Sequence, residues 1–311
     1  MKKMTINQSM KTKYGRVGVL FGGMSAEREI SLLSGKCMSE SLIRSGVDVV
    51  SIDVDGDFLQ RLPEYQLSRA VIMLHGPGGE DGSLQGALQF FGLPYTGSGV
   101  LASALAMDKL HSKQFWQGIG LPTPNFAVLD KQINWSKTLK NLGGKVIVKP
   151  SQEGSSLGMS QASDPESLEQ AWRTASKFDD IVIAEEWIAG SEYTVAILGE
   201  ETLPPIKLET SHTFYDYTAK YLANDTIYKC PCGLDDEKEK LLTKLAVEAF
   251  KSIGCSGWGR VDVMSNVDGE FFLLEVNTTP GMTDHSLMPM AAAAAGYSFD
   301  ELALKILDSS L

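Results

Sequence analysis

Apolar and polar positions along this chain follow two periods. Val17–Phe21 is a short apolar run ended by Gly22-Gly23, and it predicts a strand. Ile30, Leu33, Cys37, Met38 and Leu42 then recur at helical spacing, and Gly46 closes the predicted helix. Val47–Val54 and Ala70–Leu74 predict two further strands. Strand, helix, strand in this order predicts a parallel sheet in an α/β domain. Ser83–Phe91 and Leu101–Gln117 are expected to be helical.

The texture then changes. Lys145–Lys149 predicts a strand, followed by a glycine- and serine-rich loop, Ser151–Ser160, and a helix over Glu166–Lys177. Ile181–Ile188 and Glu192–Leu198 read as two strands with Ala189-Gly190-Ser191 between them, suggesting a second, smaller α+β unit. Residues 209–229 are polar and aromatic with little periodicity, which predicts a long functional loop. A helix at Asp236–Ser252, two strands and a C-terminal helix near Phe299–Leu307 complete the pattern. No internal repeat is present.

Composition narrows the class. The chain has 311 residues, enough for about two domains. Hydrophobic residues at 43% and charged residues at 22% are ordinary for a soluble globular protein. A net charge of −11 argues against a nucleic-acid partner, because phosphate backbones are held by basic patches. Cys37, Cys230, Cys232 and Cys255 form no C-x-x-C pair, so reduced thiols are expected rather than a metal site or disulfides. The basic N-terminus lacks the apolar stretch of a secretory signal, and no run reaches the roughly 18 apolar residues of a membrane helix. A cytoplasmic protein with no membrane partner is expected, its residues 1–14 a loose tail.

The residues themselves point most strongly to chemistry at Gly259–Asn277. Two alternating strands flank Asp268-Gly269, the dipeptide favoured in a two-residue type I′ turn. That turn would pair Val267 with Glu270, Asp262 with Glu275 and Arg260 with Asn277. Side chains alternate along a strand, so these last four would share one face, with Val261, Val263, Leu274 and Val276 on the other. Facing carboxylates destabilise a strand pair unless something cationic lies between them. Their oxygens, with an amide, suit Mg²⁺ shared with nucleotide phosphates. The alternative is a solvated polar face.

Two loops are less decisive. Lys149 ends a strand and precedes Pro150–Gly158, whose glycines would let backbone N–H groups approach phosphate. It is not a Walker A loop. Gly154-Ser155-Ser156-Leu157-Gly158 also matches G-x-S-x-G, and a serine hydrolase with His212 or His285 as base is the competing reading. An elbow needs a strand directly before the serine and a helix directly after, and neither is predicted. Gly22–Glu29 follows the first strand as a cofactor loop would, but lacks G-x-G-x-x-G. Glu27 would sit in a first helical turn, where the dipole alone favours an acid.

Gly22–Ser31 (GGMSAEREIS), His75–Gly82 (HGPGGEDG), Gly92–Gly99 (GLPYTGSG), Met107-Asp108-Lys109, Val148–Ser160 (VKPSQEGSSLGMS), Phe214–Tyr221 (FYDYTAKY), Gly257–Val263 (GWGRVDV) and Glu275–Ser286 (EVNTTPGMTDHS) together resemble the D-alanine–D-alanine ligases. The resemblance runs in order over about residues 15–308. It implies an α/β (α+β) ATP-grasp fold: an N-terminal Rossmann-like parallel-sheet domain at 15–109, and two α+β ATP-grasp domains at 110–195 and 196–311. A lid loop at about 209–229 would belong to the last. ATP, two D-alanine molecules and two Mg²⁺ ions, or Mn²⁺ in their place, are the implied ligands, and a homodimer is expected.

Carried over by position, the resemblance implies a role for each site residue. Lys109 and Lys149 would contact phosphates, and Glu185, Trp187 and Glu192 would line the adenine and ribose pocket. Ser155, Lys220 and Leu274 would complete the ATP-binding set. Asp262, Glu275 and Asn277 would bind metal. Glu27 would receive the ammonium of the first D-alanine, with His75 near its carboxylate. Ser155 and Tyr221 would form a hydrogen-bonded group with Glu27. Arg260 and the Gly281 N–H would stabilise the oxyanion, and Ser286 and Leu287 would hold the second D-alanine's carboxylate. Enzymes that make D-alanyl-D-lactate resemble this family but tend to have phenylalanine where Tyr221 stands, so tyrosine favours an amine acceptor. Another ATP-grasp ligase, the hydrolase and a non-catalytic nucleotide sensor are the alternatives.

Overall fold

A computed structural model of the chain describes residues 7–209 and 226–311. Three sheets follow one another along it. The first is parallel, in the order β2 (Asp48–Val54), β1 (Arg16–Gly22), β3 (Arg69–Ile72). Period-two alternation sorts its side chains onto two cores. Val17, Val19, Val71 and Met73 face one core, and Leu20, Ile52 and Ile72 face the other, with Phe58, Leu84 and Leu88.

Helix α2 (Arg28–Arg44) covers the first face in an unexpected phase. Its buried positions include Ser31, Ser34, Gly35 and Met38, whereas Leu33 is exposed and Ile30 half-buried. The helix must come close to the sheet: a Cβ at Gly35 would sit 2.2 Å from the Phe21 ring. Small residues therefore make the contact face. Ser31 Oγ accepts from the Gly22 N–H at 2.7 Å and donates to the Met73 carbonyl at 2.7 Å, clipping the helix to two strand ends.

The expected N-terminal tail instead contains helix α1 (Gln8–Tyr14). Tyr14 is buried, and its hydroxyl donates to Asp308 at 2.8 Å. The single helix expected over Leu101–Gln117 is two, α5 (Val100–Met107) and α6 (Lys109–Gly118), following α3 (Phe58–Arg61) and α4 (Ser83–Phe90). Asp108 makes the break. Its extended backbone (ψ 99°) ends α5, and its carboxylate caps α6 by accepting from the His111 N–H.

The second sheet is antiparallel, ordered β4 (Phe126–Leu129), β7 (Val182–Glu186), β5 (Val146–Pro150), β6 (Ser160–Ala162), with α7 (Trp135–Asn141) and α8 (Pro165–Ala175) in its core. The third is also antiparallel, ordered β11 (Ile227–Lys229), β10 (Ile206–Glu209), β8 (Gly190–Leu198), β12 (Trp258–Asn266), β13 (Phe271–Asn277), with β9 (Glu201–Thr202) beside β8. β7 and β8 are consecutive yet lie in different sheets, and the boundary drawn at residue 195 falls within β8. Helix α9 (Asp236–Ser252) packs on the third sheet. Helices α10 (Leu287–Ala294) and α11 (Phe299–Asp308) return to the first, where Arg44 and Ser41 of α2 bond Asp300.

Candidate active site

The β12–β13 hairpin pairs Arg260 with Asn277 and Asp262 with Glu275, as the sequence predicts, but by another route. Its turn is not the two-residue type. The Asn266 N–H donates to the Glu270 carbonyl and the Gly269 N–H to the Asn266 carbonyl, leaving Val267, Asp268 and Gly269 as the loop. Gly269 has φ +84°, and Asp268 is not left-handed. The register near the turn is thus one residue off the prediction. A bulge between Asp262 and Val263 restores it, because Val263 pairs with Leu273 and Leu274 is the extra residue. Leu273, not Leu274, therefore takes the core position, and Leu274 lines a cavity with Asp262 and Glu275.

That cavity, of about 390 Å³, lies between the second and third sheets. Lys109, Lys149, Ser155, Glu185, Trp187, Glu192 and Leu274 all line it. A second cavity, of about 530 Å³, is lined by Glu27, His75, Ser155, Arg260, Gly281, Ser286 and Leu287. Lys109, Gly154, Ser155 and Glu275 line both, so the two meet there. Lys220 and Tyr221 lie outside the described residues.

Full charges dominate the first cavity. Lys149 is 2.9 Å from Glu185 Oε1. Lys109 donates to the Glu153 carbonyl at 2.7 Å and lies 3.2 Å from Glu275 Oε2. Burial works against the Lys109 ammonium, but Glu275, Glu185 and Glu27 together outweigh it and hold the group above its ordinary value. Asp262 accepts from Arg260 at 2.9 and 2.8 Å, from Thr194 Oγ1 at 2.6 Å and from Asn277 Nδ2 at 3.1 Å. The facing carboxylates thus each have a cation from the chain itself, and their opposition does not by itself demand a metal. The donor set still fits one: carboxylate and amide oxygens are hard ligands, beside lysines placed for phosphate. No three His, Cys, Asp or Glu among the described residues group as a metal cage, so nucleotide oxygens would have to complete the coordination.

Neutral hydrogen bonds organise the second cavity. The His75 Nδ1–H donates to the Thr279 carbonyl at 2.8 Å, since a carbonyl can only accept. Nε2 then accepts from Ser34 Oγ at 3.0 Å, and that oxygen accepts from the Met282 N–H at 3.1 Å. Burial holds His75 below its ordinary value, in its neutral form. Glu27 stands at the N-cap of α2 without capping it; its carboxylate instead accepts from Ser155 Oγ in a short hydrogen bond. Glycines enclose it: a Cβ at Gly154 or Gly76 would sit 2.5 or 2.6 Å from Glu27 Oε2. Ser155 adopts φ +50°, uncommon without glycine. Ser286 Oγ accepts from the Thr283 N–H at 2.9 Å at the start of α10, and a Cβ on Gly281 would lie 2.9 Å from it.

The hydrolase reading fails on geometry. Strand β5 ends at Pro150, well before Ser156, and the next element is strand β6, not a helix. Two residues escaped the sequence reading. Glu80, inside the His75–Gly82 motif, lines the second cavity and accepts from the Gly76 N–H at 2.8 Å. Burial, reinforced by the Glu27 carboxylate, pushes it up to about 8. Lys113 is fully buried behind the first cavity, 3.2 Å from Glu185 Oε1. Its signal was present: it follows Lys109 by one helical turn, on the same face.

Comparison with known proteins agrees with this geometry. A family model described as the D-ala D-ala ligase C-terminus matches residues 115–308. A D-alanine–D-alanine ligase of Ectopseudomonas mendocina is 56% identical over 309 residues, 99% of each chain. The crystal structure of a D-alanine–D-alanine ligase from Bacillus anthracis complexed with ATP superposes with a TM-score of 0.84 at 32% identity, covering 95% of this chain and 97% of that one. The VanG D-Ala:D-Ser ligase from Enterococcus faecalis reaches 0.81 at 29% identity, covering 95% and 99%.

Proposed function

This chain belongs to the D-alanine–D-alanine ligase family and has its ATP-grasp fold; from that premise we propose that it joins two D-alanines into D-alanyl-D-alanine, consuming ATP and releasing ADP and phosphate. The product would serve as a peptidoglycan precursor. The observation that carries this is the junction of the two cavities at Lys109, Ser155 and Glu275, where a nucleotide in one would meet an amino acid in the other.

A carboxylate is a poor electrophile. Its oxygen first attacks the γ-phosphorus of ATP; the bond to the β-phosphate oxygen breaks, and D-alanyl phosphate forms with ADP. Lys109 and Lys149 offset the charge gathered on the transferring phosphoryl group. Glu185, Trp187, Glu192 and Leu274 hold the base and ribose. Asp262, Glu275 and Asn277 would hold two Mg²⁺ ions, or Mn²⁺, which when bound neutralise phosphate oxygens. Glu27, fixed by Ser155, takes the ammonium of the first D-alanine, with neutral His75 beside its carboxylate. The second D-alanine, its amine deprotonated, then attacks the acyl carbon. Arg260 and the Gly281 N–H steady the oxyanion, and expulsion of phosphate leaves the peptide bond. Ser286 and the N-terminal N–H groups of α10 at Leu287 take the second carboxylate, where the helix dipole favours an anion. An acyl phosphate must be kept from water, a role that the resemblance alone gives to Lys220 and Tyr221.

Phosphate release with ATP and Mg²⁺ tests the reading. It should depend on D-alanine, fail with L-alanine or without amino acid, and match dipeptide formed. Release with none of these amino acids, or with D-lactate required beside D-alanine, would reassign the substrate. The exposed apolar Phe90 of α4, Phe91 just after it and Leu101 of α5 support a homodimer, which sedimentation would test. No helix among the described residues is long and apolar enough to cross a membrane. The cytoplasm, which supplies ATP, is the proposed compartment.

A further inference from the structure

Lys113 has no exposed surface and lies behind the nucleotide cavity rather than in its lining. Its Nζ donates to Thr123 Oγ1 at 2.7 Å and to the Leu273 carbonyl at 3.4 Å, both neutral. Glu185, 3.2 Å away, is the carboxylate it meets. Glu185 is itself 2% exposed and does line the cavity. Its Oε1 lies within ion-pair reach of both Lys113 at 3.2 Å and Lys149 at 2.9 Å.

The two lysines are not equivalent. Lys149 faces the cavity, and phosphate competes for it. Lys113 cannot reach the cavity, so its charge remains with Glu185 when nucleotide binds. We propose that Lys113 is a positioning residue that keeps Glu185 ionised, so that this carboxylate accepts from the exocyclic amine of adenine and selects that base. The proposal rests on reading the first cavity as the nucleotide pocket. Burial alone would raise the Glu185 carboxyl, but Lys113 and Lys149 reverse that and hold it below its ordinary value. Burial lowers Lys113 itself to about 8 against the pull of Glu185. An ionised carboxylate only accepts, so it pairs with a 6-amino group and opposes a 6-oxo group. A protonated carboxyl can donate to the oxo group, and the discrimination shrinks.

The test compares kcat/KM for ATP and for ITP, whose hypoxanthine carries an oxo group in place of the amine. Five proteins are used: wild type, Glu185→Gln, Lys113→Met, Lys113→Gln and the double variant Glu185→Gln with Lys113→Met, with melting curves confirming that each is folded. The wild type should prefer ATP by about 10²-fold or more. Lys113→Met should cut that preference about tenfold through the nucleotide KM, with KM for D-alanine unchanged and kcat little changed. Glu185→Gln should cut it as much, and the double variant no further, because both act through one carboxylate. Lys113→Gln keeps a donor to Thr123 without the charge; it should match Lys113→Met, and it decides the matter if the methionine variant fails to fold. If Glu185→Gln narrows the preference and the Lys113 variants do not, Lys113 has no part in base selection. An unchanged preference in Glu185→Gln as well removes Glu185 from the adenine site and overturns the proposal. D-alanine-dependent phosphate release by the wild type stands or falls separately.

Discussion

The two cavities share a wall but are held by different physics. The first is framed by ions on regular elements: Lys149 on β5, Glu185 on β7, Asp262 and Glu275 on the hairpin and Lys109 on α6, with Lys113 of the same helix behind them. The second is framed largely by neutral groups on loops, with His75 locked between Ser34 and the Thr279 carbonyl, and Ser286 bonded to Thr283. Glu275 belongs to the wall it shares with the first cavity, and Glu27 receives Ser155 and is walled by glycine. A nucleotide brings several negative charges that must be neutralised, so its cavity needs ions fixed on rigid strands. Small zwitterions need one anion and well-aimed dipoles, which loops can supply if their backbone is tied down.

Breaking the charged wall should have the largest effect. Asp262→Asn or Glu275→Gln should lower turnover by about 10²-fold or more, with folding retained, because each removes charge at a mostly enclosed position without changing volume. Steady-state kinetics with Mg²⁺ would check this, and wild-type rates in either variant would sink the metal assignment. The neutral wall should break differently. Gly76→Ala places a Cβ 2.6 Å from Glu27 Oε2 at φ +70°, so the loop or the carboxylate must move. KM for D-alanine should rise about tenfold or more while KM for ATP holds. Equal increases in both would mean that the cavities are not separable.

Ser34→Ala should act mainly on stability. It leaves the Met282 N–H and His75 Nε2 without their partner in a buried place, costing about 1–3 kcal/mol in urea unfolding. A shift below half that would show that water or a rearranged loop replaces the hydroxyl.

The comparison also explains what was legible in the sequence. The hairpin part of the charged wall was, because strands alternate with a fixed period and a turn dipeptide marks the hairpin; Lys109 and Glu185 came only through resemblance. Even there the pairing of Asp262 with Glu275 held only because two departures cancel, a three-residue loop and a bulge at Leu274. Neither is written in alternation alone. The neutral wall was legible only through resemblance. Ser34 and Gly35 look like polar interruptions in α2, yet they are its core face, while Ile30 and Leu33 line the second cavity. The predicted stripe is right at Met38 and Leu42, which are buried, and wrong at Ile30 and Leu33, because close approach and not apolar area decides the packing at that end. Glu80 was missed because a lone charge in sequence is ordinarily solvated; Lys113 was missed although its one-turn spacing from Lys109 put it on the same face, and the fold shows that both are enclosed.

The smallest effect expected is on stability against pH, and it separates two members of the neutral wall. Glu80 is raised to about 8 by burial and by Glu27, against 4.5 ordinarily. The folded chain therefore holds a proton that the unfolded chain releases. Between pH 4.5 and about 8 this group's contribution falls as pH rises. His75 is lowered from 6.5 by burial, so the unfolded chain takes up its proton first as the pH falls. Its contribution is present above 6.5 and is lost below it. The two slopes oppose each other on the acid side of 6.5, and only the Glu80 slope remains between 6.5 and 8. Glu80→Gln should flatten the decline between pH 6.5 and 8 in urea unfolding and leave the acid limb in place. If the wild type shows no decline over that range, Glu80 titrates in contact with water, and the second cavity is wetter than its enclosed carboxylates imply.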